Sequence, residues 1–533
     1  MNKVFLSFLL LFLLGSCKSV KKHNEQITKL HSVADLQEDI DKLYSQLKKH
    51  HPKLYQYTSK EILDFKFDSL KTSISQPLDS RTFYKKLAPV VAEVKQGHVS
   101  VGSVSKWFTK KERKALKKKK FEFYDLDFEY LEGKLWVKAY RGKDSTLVGN
   151  EIVSINDEPA LKLVETYKTR FASDGHNKTL HDRFVSKGFS VFYYKDKGYL
   201  DSLKILFKSK DTLFSKMFRR VEKDENKKGN KKLADTTSVE KTKPKKLTKE
   251  EKQAIKLANK KRKKNNRKYG YLGKRKQYTR NFSFIGKDST IAYMKIRSFS
   301  NGPYKKFYKE SFAKIKSSKT KYFILDLRDN GGGRISEIDY LYSYLTDKDY
   351  QFITESEVKS RTPFLKSFMS NTTPNSVKVA GALLFPIVAT HNLLKTRKRD
   401  GKIYYKFSKH AKVKEPNTLN FKGKMYVLIN GNSFSASSLL STHLKAKNRA
   451  TFVGEETGGA YNGTVAGIYK LYELPTSKVK VRMGLMQIEA PQKQIPDGFG
   501  IKPDVEILPN LKDRKSNIDT ELEWILNDIH KHH

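Results

Sequence analysis

The stretch VLINGNSFSASS, Val427 to Ser438, decides how the C-terminal half of the chain is read. An apolar run stops at Asn430-Gly431, small residues and serines follow, and LLSTHLK then resumes an apolar pattern at helical spacing. This is the pattern of a buried strand, a tight turn and a helix. The first N–H groups of a helix have no intrahelical partner and carry partial positive charge. A serine at that junction caps the helix, or offers its hydroxyl to a carbonyl that becomes an oxyanion. The residues alone leave both uses open for Ser433 and Ser435. The string is not the GxSxG elbow of the α/β-hydrolases.

Upstream, YFILDLRDNGGG (Tyr322–Gly333) is a second buried strand running into a glycine loop. Three glycines let backbone N–H groups approach a ligand closely. The loop lacks the GxxxxGK[ST] of a P-loop and is not GxGxxG. Around these strands, YKKFYKESFAKIKSS places Tyr304, Tyr308, Phe312 and Ile315 on one helical stripe. ISEIDYLYSYLTD reads as a helix, and RATFVGEETGGAYNG as a strand entering a glycine-rich loop. Alternating strands and helices predict a layered α/β core over 281–511, closed by a C-terminal helix over 512–533.

Before the core, residues 33–115 read as a helical domain, with Leu36, Ile40, Leu43 and Leu47 on one face. Gly97 breaks its last helix at Gly97-His98, where an alternating strand begins. Residues 116–216 read as β-rich. Residues 217–280 are charged and mostly basic, a solvated linker or insertion whose second half has the composition of a basic helix. The 533 residues include 107 Lys+Arg and 57 Asp+Glu, a net charge of +50. Such a charge favours anionic surfaces, and the 217–280 segment is the expected contact; nothing points to specific nucleic-acid readout. There is no HExxH and no cysteine cluster, so neither a metal nor a cofactor is expected.

The single cysteine, Cys17, ends MNKVFLSFLLLFLLGSC. A lysine, a short apolar run and small residues make a signal peptide. Its Leu14-Gly15-Ser16-Cys17 resembles the lipobox of bacterial lipoproteins. The resemblance implies cleavage before Cys17, lipidation of its thiol and, with Lys18 next, a periplasm-facing outer-membrane anchor. Residues 18–32 would be a polar tether.

Two further resemblances carry function. Gly149-Asn150-Glu151-Ile152 and Ser154-Ile155-Asn156-Asp157 resemble the "GDEIxxING" stretch of PDZ domains, with Asp157 in place of its last glycine; this implies a peptide groove. Asp326-Leu327-Arg328-Asp329-Asn330-Gly331-Gly332-Gly333 and Ser433-Phe434-Ser435-Ala436-Ser437 are followed by Val453-Gly454-Glu455 and Gly498-Phe499-Gly500-Ile501-Lys502-Pro503-Asp504. In this order they resemble the tail-specific, C-terminal processing serine peptidases and their tricorn-type relatives. The resemblance implies a crotonase/ClpP-like layered core, Ser435 as nucleophile, and Gly332 and Ala436 as oxyanion-hole donors. Family members with a Ser–Lys dyad carry the lysine in a loop that here reads GEETGGAYNGTVAG, with Ala460 or Asn462 at its position. The tricorn-type branch instead uses a histidine in a stretch like "DGHT", which matches Gly97-His98-Val99-Ser100 and makes His98 the base. Asp497 matches that branch's carboxylate, with Glu455 and Glu456 as rivals.

The expected function is therefore a lipid-anchored serine endopeptidase acting through an acyl-enzyme on unfolded or C-terminally exposed proteins of the cell envelope. The alternatives are a catalytically inactive peptide binder of the same fold, favoured by the missing lysine, and a basic polyanion-binding envelope protein.

Overall fold

The computed structural model describes residues 19–531, apart from 143, 224–247, 274–275, 287, 301, 383 and 408. The signal peptide, Cys17 and the first half of the basic segment lie outside the described residues. Among the described residues, no helix is long and apolar enough to cross a membrane.

The N-terminal part is helical: Val33–His50, Lys60–Thr72 and Ser80–Ala92, each started by a capping side chain from Ser32, Ser59 or Asp79. Leu36, Ile40, Leu43 and Leu47 are fully buried, as their spacing predicts. The expected tether differs. Val20–Thr28 is a helix capped by Ser19, and it packs because Ile27 is buried.

The β-rich part is one antiparallel sheet. Its order is Lys119–Phe121, Thr212–Glu222, Ser202–Ser209, Glu151–Ile155, Lys134–Tyr140 and Leu126–Leu131, with Glu158–Pro159 at the side of the fourth. The helices Ala160–Lys168 and Thr179–Lys197 cover it, burying Tyr167 and Phe189. Its last strand runs past the expected boundary at residue 216, because Arg220–Glu222 pair with Lys119–Phe121. The basic helix is present as Lys249–Tyr269, opened by a Thr248/Glu251 capping box and without a buried residue.

The core sheet has the order Arg280–Ile285, Ile291–Ile296, Tyr322–Asp326, Lys424–Ile429, Thr451–Gly454 and Val505–Glu506, parallel except for the first. All five residues of Tyr322–Asp326 are buried, as a central parallel strand requires. Phe323 and Leu325 face helices carrying Phe312, Leu341 and Leu440. Tyr322 and Ile324 face the C-terminal helix Thr520–Lys531 through Ile525 and Ile529.

A second sheet joins the ends of the chain. Its strand Lys480–Ile488 pairs with Thr464–Glu473 on one side. It also pairs with Ser100–Gly102, Ser100 lying opposite Arg482. This pairing carries His98, two residues before Ser100, to the top of the core.

Candidate active site

The two loops singled out from sequence are stitched together. Ser433 Oγ donates to the carbonyl of Leu327 at 2.8 Å and accepts from the N–H of Asn430 at 3.1 Å. The N–H of Phe434 donates to the carbonyl of Asn330 at 3.0 Å. Asn432 Nδ2 donates to Asp329 Oδ1 at 2.8 Å. Ser433 is thus a structural link, and Ser435 is left to face outward from the turn.

Ser435 precedes the helix Ala436–Ala446 with φ 57°, a left-handed conformation, and its side chain makes no capping bond. A non-glycine residue held there stores roughly 1–3 kcal/mol. Its Oγ lies 3.0 Å from His98 Nε2. Of the two uses open to a serine here, helix capping is not the one taken.

Ala436 is the first helical residue, so its N–H has no intrahelical partner. Gly332, at φ 97°, presses its backbone on this point. A Cβ there would stand 2.8 Å from the Ala436 nitrogen. The N–H of Gly332 itself donates to Asn330 Oδ1 at 2.9 Å. Gly333, next in the loop, lines the cleft beside Ser435 and Ala436.

The His98 ring sits between Phe434, 5.0 Å away, and Tyr469, 5.5 Å away, centroid to centroid. With Nε2 accepting from Ser435, Nδ1 carries the proton and points at the Tyr469 hydroxyl, 3.4 Å off. The Arg482 guanidinium lies 3.5 Å from the centre of the Tyr469 ring. Burial, and then the charge of Arg482, push His98 down to about 3. The imidazole is therefore neutral at neutral pH, the form a general base needs. Tyr469→Phe removes one long, neutral hydrogen bond, of a kind that contributes about 0.5–1.5 kcal/mol. We expect kcat to fall by about 2–10-fold with KM unchanged, read from steady-state kinetics.

The expected third residue is placed elsewhere. Asp497 accepts from Gln56 Nε2 at 2.8 Å, Asn462 Nδ2 at 3.0 Å and the Gly498 N–H at 2.7 Å, and it ties the loop 494–498 rather than His98. Glu455 forms a two-pronged ion pair with Arg183, at 2.7 and 2.5 Å. Glu456 accepts from the Gly500 N–H at 2.6 Å. Ala460 lines the cleft at the position considered for a lysine, and no lysine is among the cleft's described lining residues.

One residue near His98 was not among the sequence candidates. Asp174 is fully buried, and its Oδ1 accepts from the N–H of Gly97, beside His98, at 2.8 Å. Its Oδ2 is buried without a hydrogen-bond partner. Burial pushes this carboxyl up to about 7, against the opposing pull of the Gly97 N–H. The signal was a literal Asp-Gly-His at Asp174–His176, the very triplet that Gly97-His98 lacks. His176 of that triplet packs against Tyr57 and Phe499 instead. A carboxyl raised in the folded state favours folding at low pH, and loses that advantage as pH climbs from its ordinary 3.8 to about 7. Asp174→Asn escapes this loss. Its melting temperature relative to wild type is expected to rise between pH 4 and pH 8, and scanning calorimetry at several pH values reads the difference.

Ser435 opens on a cleft of about 390 Å³ whose apolar wall includes Ile335, Phe407, Leu439, Ala466 and Ile488. A strained, uncapped serine on a helix N-terminus, a neutral histidine at its hydroxyl and a glycine loop across from it define a serine-type peptidase. The comparisons agree: residues 290–507, under half of the chain, match the model of Peptidase family S41. The fold is similar to the crystal structure of mature CPAF, with 12% identity, a TM-score of 0.58, and 92% of this chain and 96% of that chain covered. It is also similar to mature CPAF complexed with lactacystin, at 12% identity and a TM-score of 0.59, covering 92% of this chain and 97% of that one. The tricorn protease aligns with a TM-score of 0.35 at 14% identity, covering 94% of this chain but 37% of that chain. No curated protein matches the chain.

Proposed function

We propose that the protein is an extracytoplasmic serine endopeptidase of the Ser–His type, anchored through Cys17, that cleaves unfolded polypeptides through an acyl-enzyme. The observation that carries this is the 3.0 Å approach of Ser435 Oγ to His98 Nε2. As Oγ bonds to the peptide carbonyl carbon, its proton passes to His98 Nε2 and the carbonyl oxygen becomes an oxyanion. The N–H of Ala436 and an amide of the Gly332–Gly333 turn receive that charge. Since Asn330 holds the Gly332 N–H, we assign the second donor to Gly333. His98 then protonates the leaving amine, and water releases the acyl group by the reverse exchange. The strand Glu151–Ile155 is paired on both sides, but Leu126–Leu131 is an edge strand beside the helix Thr179–Lys197, a PDZ-like strand-and-helix arrangement that suits docking of an extended chain end. The exposed helix Lys249–Tyr269 suits contact with anionic surfaces.

One observation favours the inactive peptide-binding reading: His98 Nδ1 faces a phenol where serine peptidases place a carboxylate. The purified chain decides between them when treated with a fluorophosphonate probe and, separately, with an unfolded polypeptide. We expect a covalent adduct mapped by mass spectrometry to Ser435, and fragmentation of the polypeptide. Binding of the polypeptide with neither adduct nor fragments would establish the binder instead.

A further inference from the structure

The helices Pro363–Phe368, Asn375–Ala382 and Phe385–Lys395 form a projection between two strands of the second sheet. Its inner side is gripped by polar side chains. Ser367 Oγ donates to the carbonyl of Tyr469 at 2.5 Å, Thr372 Oγ1 to that of Leu471 at 2.9 Å and Asn371 Nδ2 to that of Glu473 at 2.6 Å. Its outer side is apolar and uncovered. Met369, Val379, Leu384, Phe385, Ile387 and Leu394 are each more than half exposed, with Leu394 at 79%. Large apolar side chains left exposed together on one small element mark a contact site.

The rim is strongly basic. From Lys359 to Lys402 the sequence holds nine Lys or Arg and one acidic residue, Asp400. The hairpin Thr396–Arg399 and Lys402–Tyr405 follows directly on the last helix and presents Arg397, Lys398 and Arg399 to solvent. The projection also lies at the end of the molecule where the chain enters. Asn371 bonds to Glu473, and Gln26 Nε2, on the first helix, bonds to the carbonyl of Thr476 at 2.8 Å, three residues further along the same turn. Ser19, which caps that first helix, is two residues from Cys17.

We propose that this projection is a membrane-docking element that seats in an anionic lipid surface. Apolar side chains ringed by Lys and Arg are the composition of a helix that lies in a bilayer interface, and anionic headgroups attract such a rim. A second copy of the chain is the poorer occupant, since each copy carries a charge of +50 and the two basic rims would face each other. A substrate segment is disfavoured too, because no described residue of the projection lines the cleft at Ser435. Docking of this face would add to the hold of a lipid anchor, and would hold the body of the enzyme in one orientation. The proposal uses the anchoring of Cys17 only for proximity and does not depend on catalysis.

The test uses the full chain with Cys17→Ser, so that an introduced cysteine is unique. Ile387→Cys is labelled with an environment-sensitive dye, and Ile62→Cys, an exposed position on an N-terminal helix, serves as the reference. Vesicles of phosphatidylcholine and phosphatidylglycerol, with and without doxyl-labelled acyl chains, are added. The expected result is a blue shift at position 387 with loss of fluorescence to the doxyl lipid, weaker at high salt or without phosphatidylglycerol, and no response at position 62. Equal quenching at both positions, or none at 387, overturns the proposal. So does a shift at 387 that follows protein concentration without lipid, which assigns the face to a second copy. A shift on adding unfolded polypeptide alone assigns the face to substrate and equally overturns it.

Discussion

Ser435→Ala is expected to lower kcat/KM on an unfolded polypeptide by about 10⁴–10⁶-fold, the range found when a serine nucleophile is removed from a preorganised site. The residual rate would come from the oxyanion donors and from binding, which the substitution leaves intact. Stability should fall only by about the 0.5–1.5 kcal/mol of one hydrogen bond, that to His98. Ser435 Oγ makes no capping bond, and alanine at φ 57° carries the same backbone strain as serine. Kinetics of the variant beside wild type, with a thermal melt of each, checks both halves. A variant that cleaves at the wild-type rate would remove Ser435 from the mechanism. Ser433→Ala should behave oppositely. It breaks the bonds to Leu327 and Asn430 that join the two loops, so a melting-temperature loss should accompany any loss of rate.

His98→Ala is the second large effect, with an expected loss of about 10⁴-fold or more, because the serine hydroxyl then has no proton acceptor. The pH profile discriminates further. The protonated form of His98 appears only as pH falls towards about 3, well below its ordinary 6.5. The acid limb of kcat/KM due to His98 should therefore lie below about pH 5, instead of near 6.5. The linked stability effect has a definite sign. In the unfolded chain His98 binds its proton at about 6.5, while the folded protein resists it down to about 3. Stability is thus lost as pH drops between these values. The alanine variant lacks this loss, so its melting temperature relative to wild type should rise as pH falls below about 6. A limb near 6.5 that disappears in His98→Ala would show that the ring is protonated as freely as a surface histidine.

The local chemistry of the core was legible because it is carried by contiguous residues. A run such as YFILD is buried on both faces wherever its strand lies, and Asn430-Gly431 ends its strand by turn chemistry alone. The helix after Ser435 and the glycine loop after Asp326 follow in the same way. The segment 18–32 misled for a related reason. Its composition is polar, and the one residue that makes it pack, Ile27, gives no pattern over so short a length.

The third position of the site was not legible, because no local rule bears on it. His98 is 337 residues from Ser435 in sequence, and their contact depends on Ser100 finding Arg482 across a sheet edge. That pairing is set by packing, which also places Tyr469 at His98 Nδ1, sets Arg482 over the Tyr469 ring and sends Asp497 to Gln56 and Asn462. By itself the sequence determined the strands, the turns and that serines cluster at a helix N-terminus, since these rest on hydrophobic periodicity and backbone preference within a few residues. Only the tertiary structure decided what surrounds the histidine. The burial that keeps His98 neutral and raises the Asp174 carboxyl comes from chain segments brought together in space, and a desolvation energy has no counterpart in residue order.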